Sequence, residues 1–326
     1  MTHGTSTKIP NQETTEKATT TPRVTRGRSV LPRSLLIAGA GYSDHLGTCP
    51  ATVIQLMDRW RIPDVATDAG VLIRRSARLD LSGVDFSAFA DRPLDEASLR
   101  CLRYMHDIEF HTMCYLRDVL ATSAHREPEV TAFLSCWAYE ELWHGDAIGR
   151  VLEAHGEPAG ADRVRELRAR LPARDGLRPV MFFLGSALTG RMVVLHMVWG
   201  AINEWSTQSG YSRLAARAKH PVLTELLGRI MRQEGRHIDF YMREAEFRLT
   251  GRPHTQRFVR MALRRLWNPV GSGVMPDAEV SFLVAHLFGD DAGLEVARRI
   301  DRQVDRLPGL AGLQLAERAR SRWAAT

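Results

Sequence analysis

Two short segments of this 326-residue chain carry side chains suited to holding metal ions. One is Tyr139-Glu140-Glu141-Leu142-Trp143-His144, the other Gln233-Glu234-Gly235-Arg236-His237, and both contain Glu-x-x-His. Residues three apart on a helix share a face, so each carboxylate and its imidazole point the same way. A single copy would read like any solvated helix face. Here each copy follows an apolar segment with a lone glutamate, Glu109 in Met105–His111 and Glu204 in Ala201–Trp205. Four carboxylates buried together are prohibitively costly unless cancelled, and two divalent cations supply the opposite charge.

The spacing shows which elements must position these groups. Glu109 and Glu141 stand on either side of a turn near Ser123–Pro128, and Glu204 and Glu234 on either side of one at Ala218–Pro221. Each leg is about 13 residues, or roughly 20 Å at about 1.5 Å per residue, so two antiparallel hairpins bring all the groups to one level. Two single-Glu helices and two Glu-x-x-His helices lining one core form the ligand pattern of di-iron carboxylate bundles. Two ferrous ions held mainly by carboxylates can reduce O2 in two-electron steps while a bundle excludes water.

The remaining periodicity is helical, and the expected fold is all-α: a ferritin-like four-helix bundle core with additional N- and C-terminal helices. A first helix is expected over 48–75, then irregular chain through 85–91. Asp95 caps the helix carrying Glu109, and Pro128 opens the one carrying Glu141, which fades at His155–Pro158. An Arg-rich helix and turn cover 162–178. Pro179 opens one long apolar run, Val180 to Trp205, kinked or broken at Ser209–Gly210. Arg191, His196 and Glu204 within that run argue for a buried bundle helix instead of a membrane span. Val193, Met197, Gly200, Glu204 and Thr207 share a face, where Gly200 marks either a substrate-channel wall or a close helix contact. The fourth ligand helix spans 221–249, and shorter helices follow near 255–266, 278–287, 291–306 and 309–322.

Composition bounds the class. With 44% hydrophobic residues the chain suits one large helical domain, residues 46–326 with a metal-binding core at about 98–250, behind a disordered, basic, Thr-rich tail over 1–45. Residues 1–34 hold six Lys/Arg against two Glu, a net +4 of the total +6, so the fold itself is nearly neutral and nucleic-acid binding is not indicated. Leu31–Ala38 imitates a signal peptide, but Pro32 and Arg33 break its apolar run. Leu35–Gly41 imitates a dinucleotide-binding turn, but Asp44 stands where its third glycine should be. Cys49, Cys101, Cys114 and Cys136 show no paired or zinc-type spacing and read as buried thiols in a reducing cytoplasm.

Glu140-Glu141-Leu-Trp-His144-Gly145-Asp146 is similar to the Glu-Glu-x-Arg-His-Gly-Asp motif of soluble acyl-[acyl-carrier-protein] desaturases. Glu204-Trp-Ser-Thr207 resembles that family's Glu-x-x-Thr, and Glu234-Gly-Arg236-His237 its Glu-x-Arg-His. The likeness covers roughly residues 98–250. It implies two iron ions held by Glu109, Glu141, His144, Glu204, Glu234 and His237, with O2 as co-substrate. It also implies Thr207 as a hydroxyl on the oxygen-binding side, a double bond introduced into an acyl chain, a ferredoxin-type electron donor and a homodimer. The chain departs from the family's pattern in three places. Gln233 replaces the Asp that contacts the first motif's His, Trp143 replaces an Arg, and Trp60–Pro63 only hints at the family's N-terminal segment.

Other readings fit the residues less well. A ferritin would be shorter, and a ribonucleotide reductase radical subunit would place a Tyr where Ile148 stands. A multicomponent hydroxylase needs a longer chain and partner subunits. A di-iron N-oxygenase or hydroxylase acting on a small molecule is the alternative, with His111 or His196 as an extra ligand. A metal-free helical binding protein would leave all six ligand-type residues idle. Tyr139, Tyr211 and Tyr241 are candidate radical carriers, and one of Trp137, Trp143, Trp199 and Trp205 could admit electrons. Arg257, Arg260 and Arg264 line one helix face, with Val259, Leu263 and Leu266 packing inward. That face could receive an acidic acyl carrier protein or ferredoxin.

Overall fold

The computed structural model describes residues 73–324. The tail over 1–45, the Trp60–Pro63 segment and the helix expected over 48–75 lie outside the described residues, except that helix's last turn, Ile73–Arg75. The described chain is helical, with no strand among the described residues.

A single turn, α1 (Ala88–Asp91), breaks the stretch expected to be irregular. Asp95 caps α2 (Glu96–Leu120), its carboxylate accepting from the Ser98 N–H at 2.7 Å; such a cap stabilises a helix by about 1 kcal/mol. A 3-10 turn, Ser123–Arg126, leads into α3 (Pro128–Ala154), where Pro128 takes the first position and its missing N–H costs nothing. After α4 (Gly160–Ala169) come α5 (Arg178–Thr189), α6 (Met192–Ala218) and α7 (Pro221–Leu249). The C-terminal helices are α8 (Pro253–Leu266), α9 (Asp277–Phe288), α10 (Asp291–Asp305) and α11 (Leu315–Trp323).

The long apolar run is therefore two helices, not one. Gly190 adopts φ +60°, a left-handed cap open to glycine, and its N–H bonds the Ser186 carbonyl. The Thr189 hydroxyl then accepts from the Arg191 N–H, and α6 starts afresh. Nor does Ser209–Gly210 break α6, which runs through to Ala218. Gly210 instead admits Met105, whose methyl lies 3.5 Å from where a β-carbon would stand.

α2 folds back on α3 and α6 on α7, and α3–α7 and α2–α6 contacts join the two hairpins. α9, α10 and α11 pack on one another, with α9 against both α2 and α6 and α10 against α6. Apolar side chains fill the hairpins in two layers. One includes Leu102, Met105, Ile148, Leu152, Leu214 and Leu227; the other includes Phe133, Trp137, Met197, Ile202, Phe240 and Tyr241. Phe133 stacks on Phe240 at 3.8 Å, and each such buried side chain contributes about 1.5–3 kcal/mol. Val259 and Leu263 pack inward as the spacing implies, but Leu266 is exposed because α8 ends there.

Cys101 is buried, which pushes its thiol up to about 12. Cys114 and Cys136 are only half-buried, because each sits beside the inward stripe of its helix, and Cys49 lies outside the described residues. No described helix is long and apolar enough to cross a membrane.

Candidate metal centre

All six ligands chosen from sequence come together. Glu109, Glu141, His144 and Glu234 form one group, and Glu141, Glu204, Glu234 and His237 a second. Within each group, one ligand atom per residue lies within 4.8 Å of the others, and every residue is buried. Glu141 and Glu234 belong to both, which is the position of carboxylates shared between two adjacent cations.

Groups outside this set fix the imidazoles. The His237 Nε2–H donates to Glu140 Oε2 at 2.8 Å, and the His144 Nε2–H to Gln233 Oε1 at 2.9 Å. The residue before each shared glutamate thus holds the other motif's histidine, and both Nδ1 atoms turn inward. His144 Nδ1 lies 3.2 Å from Glu234 Oε1 and 3.3 Å from Glu141 Oε2. His237 Nδ1 lies 2.8 Å from Glu234 Oε2 and 3.3 Å from Glu141 Oε1. Glu140 also accepts from Arg236 at 2.7 Å and from the Ala77 N–H at 3.1 Å, while the Gln233 amide donates to the Ala77 carbonyl at 3.0 Å. Beside them, the Arg78 guanidinium lies 4.1 Å from the centre of the Trp143 ring. The two outer carboxylates each have one donor: Trp137 Nε1–H to Glu204 at 2.9 Å, and the Tyr211 hydroxyl to Glu109.

The charge balance tests whether metals fit. Burial, reinforced by the charge on Glu141, pushes Glu109 well above the usual carboxylate range. Burial and the charge on Glu234 do the same to Glu204. Burial disfavours charge on both imidazoles, yet the surrounding carboxylates, Glu234 foremost, hold His144 up to about 10 and raise His237 well above its ordinary value. Glu141 and Glu234 stay low despite burial. Hydrogen bonds from Glu109 and His144 lower Glu141, and the two imidazolium charges lower Glu234. Without metal, then, the site favours protons on Glu109, Glu204, His144 and His237, and four protons carry the same charge that two divalent cations would bring. Glu234 Oε1 is buried and makes no well-aligned hydrogen bond, its one near polar neighbour being His144 Nδ1 at 3.2 Å. On donor types and charge, the residues fit a pair of divalent metal ions.

An apolar cavity of about 100 Å³ reaches the cluster from the Glu109 side. Its walls are Tyr104, Met105 and Ile108 of α2, Ser206, Thr207, Gly210 and Tyr211 of α6, and residues of α9, α10 and α11 such as Val284, Ile300 and Ala316. Thr207 lies in this wall, as does Glu109, and belongs to neither ligand group.

Several other candidates fall elsewhere. A β-carbon at Gly200 would overlap the Tyr241 ring, so Gly200 serves close packing; of its face of α6, Thr207 lines the cavity and Gly200 does not. His196 bonds the Tyr115 hydroxyl at 2.7 Å, and burial pushes it down to about 3. His111 is buried and pushed down to about 4 in the same way, and neither imidazole joins the ligand groups. Tyr139 is exposed, whereas Tyr211 and Tyr241 are fully buried. Sequence reasoning missed the outer role of Glu140 and the bonds from Tyr211 and Trp137. The one visible signal was that a polar residue precedes the glutamate in both motifs.

Compared with family models, curated proteins and solved structures, the chain gives no match.

Proposed function

We propose that the paired hairpins are a ferritin-like four-helix bundle holding two iron ions. In this reading the protein is an O2-dependent oxidoreductase of the acyl-carrier-protein desaturase type, introducing a double bond into an apolar acyl chain. The observation that carries this is the apolar cavity ending on Glu109 and Thr207, beside a buried set of four carboxylates and two imidazoles. Two ferrous ions in that set would supply the reduction of O2 to two waters, with two hydrogens taken from the substrate, two electrons from an external donor and two protons from solvent.

The chain's own residues set the conditions. The apolar cavity walls would receive methylene groups toward Glu109 and disfavour charged competitors. Apolar layers on both sides of the cluster keep bulk water out, which strengthens every electrostatic contact inside. Tyr211 and Trp137 orient the two outer carboxylates, and the Thr207 hydroxyl hands a proton across the cavity wall. Arg257 and Arg264 stand exposed on α8, where an acidic carrier protein or ferredoxin would dock. The alternative, an N-oxygenase with an additional imidazole ligand, loses support because His111 and His196 lie outside the ligand groups.

The test is intact-mass analysis of products from acyl substrates given O2 and a reducing system, alongside iron content. About two irons per chain and a product lighter by two hydrogens is the expected result. A product heavier by one oxygen would make the protein an oxygenase, and a chain that takes up no iron would end the reading.

A further inference from the structure

On the Glu204 side of the cluster, aromatic side chains lead from a ligand toward the surface. Trp137 of α3 donates its Nε1–H to Glu204 at 2.9 Å. Two tyrosine rings pack edgewise on its indole: Tyr241 of α7 with centroids 6.0 Å apart, and Tyr115 of α2 at 6.3 Å. Both separations lie within the ~4.5–7 Å of direct aromatic contact. Trp137 and Tyr241 are buried, whereas Tyr115 is half-buried and ends the series nearest to solvent.

Indole and phenol are oxidisable but poor electron acceptors, so such a series carries oxidising equivalents outward, not low-potential electrons inward. A phenol loses an electron readily only when its proton can leave with it, because the oxidised, still protonated ring is a very strong acid. The two tyrosines differ in this respect. The Tyr241 hydroxyl is buried and makes no hydrogen bond among the described residues, so its proton has no acceptor. The Tyr115 hydroxyl lies 2.7 Å from His196 Nδ1. Phenol is the stronger donor and imidazole the stronger acceptor, so the hydroxyl donates. Burial pushes His196 down to about 3, which keeps it neutral and leaves its Nδ1 lone pair able to take the proton.

We infer that Tyr115 is a redox outlet for the metal centre, with Trp137 as its link to Glu204 and His196 as its proton acceptor. The outlet rests on the di-iron reading, since its oxidant is O2 at that centre. It acts when O2 is reduced while no acyl chain fills the cavity. Tyr115 then gives up one electron through Trp137 as its hydroxyl proton passes to His196 Nδ1, leaving a neutral phenoxyl radical. Reduction of O2 to two waters takes four electrons, and four protons from solvent. Two of the electrons come from the external donor as in productive turnover. The two that the substrate would have given leave Tyr115 one at a time, and the same donor restores the phenol after each, the proton returning from His196. Unproductive oxidation is thereby drawn away from Trp137 and the ligands.

Two measurements on the full-length chain test it. In the metal-free protein, nitrogen-15 NMR of His196 should show Nδ1 as a hydrogen-bond acceptor and Nε2 protonated, with the Nδ1 resonance moving in Tyr115→Phe. In the second, protein loaded anaerobically with ferrous ion, its iron content measured, is mixed with O2 without acyl substrate and frozen. Electron paramagnetic resonance should show a tyrosyl radical, identified by the narrowing that ring-deuterated tyrosine brings. The radical should be lost in Tyr115→Phe, and in His196→Leu although Tyr115 remains, but kept in Tyr241→Phe, at unchanged iron and helix content. A protonated Nδ1 would overturn the outlet. So would loaded protein that consumes O2 without a radical, a radical that survives Tyr115→Phe or His196→Leu, or one lost in Tyr241→Phe. Each of these leaves the proposed function standing, whereas a chain that takes up no iron ends both.

Discussion

The two halves of the metal centre share their chemistry and differ in their surroundings. On the His237 side the imidazole is backed by a carboxylate, Glu140, itself held by Arg236, and Glu204 is fixed by Trp137 inside dense aromatic packing. On the His144 side the backing group is the neutral amide of Gln233, and Glu109 stands at the end of the cavity. An anionic partner makes an imidazole a stronger ligand than a neutral one does. A symmetric ligand set has thus been placed in an asymmetric shell. One half is closed by packing and a charged backing group, and the other opens on the cavity.

The most severe way to break the comparison is to remove what the halves share. Glu141→Ala or Glu234→Ala should empty both, dropping metal content from about two per chain to below ~0.2 while helix content survives. Elemental analysis beside circular dichroism reads this, and a variant that keeps both metals would refute the shared role.

A gentler intervention separates the halves. Glu140→Gln should weaken one equivalent of metal by about 10–100-fold and leave the other, whereas Gln233→Glu should tighten the other and bring the two affinities together. Anaerobic titration with ferrous or cobaltous ion gives the two steps. Isotherms unchanged in both variants would mean that the outer groups only pack.

Protons sharpen the comparison further. His144 and His237 have raised values in the metal-free fold, so the stability they contribute is fully present below about 6.5 and is lost as pH rises through about 10 for His144. The lowered pair, Glu141 and Glu234, act in the opposite sense, but their contribution is already complete above about 4.5. The metal-free protein should therefore lose several degrees of thermal midpoint between about pH 7 and 10, and the loaded protein far less. Loading at neutral pH should release about four protons per chain, measurable in weakly buffered solution. A metal-free midpoint flat across that range would show that the imidazoles are not held charged.

The smallest expected effect on the centre comes from the cavity wall. Thr207→Val should keep both metals and lower, by several-fold, the product formed per electron consumed. Equal coupling in variant and parent would leave Thr207 as an ordinary helix residue.

Much of this was legible in the sequence, because its signals are local. Glu-x-x-His places two ligands on one helix face, and Asp95, Pro128 and Pro221 mark helix starts through their own backbone chemistry. The rest was hidden because it is non-local or cancels in the pattern. Gly190 sits inside a long, mostly apolar run, so periodicity alone could not show the break or that one side of α5 would face outward. Gly200 reads equally as space or as contact until Tyr241 is placed against it. The crossing of Glu140 to His237 needs two helices at a known offset, whereas that of Gln233 to His144 was legible through the resemblance. The cavity wall borrows side chains from α9, α10 and α11, nearly a hundred residues beyond Glu204 in the case of Ile300.

Ala77 is neither a ligand nor a cavity residue, yet its N–H is tied to Glu140 and its carbonyl to Gln233, one group from each half. This makes one peptide segment a latch across the outer face of the centre. Coupling of this kind is reciprocal. Cations that immobilise the imidazoles raise the free energy needed to peel the segment away, and any protein that captured the segment would loosen the cations by the same factor. Uptake of cations at the site should therefore slow exchange of the Ala77 amide proton with solvent, where it can be read.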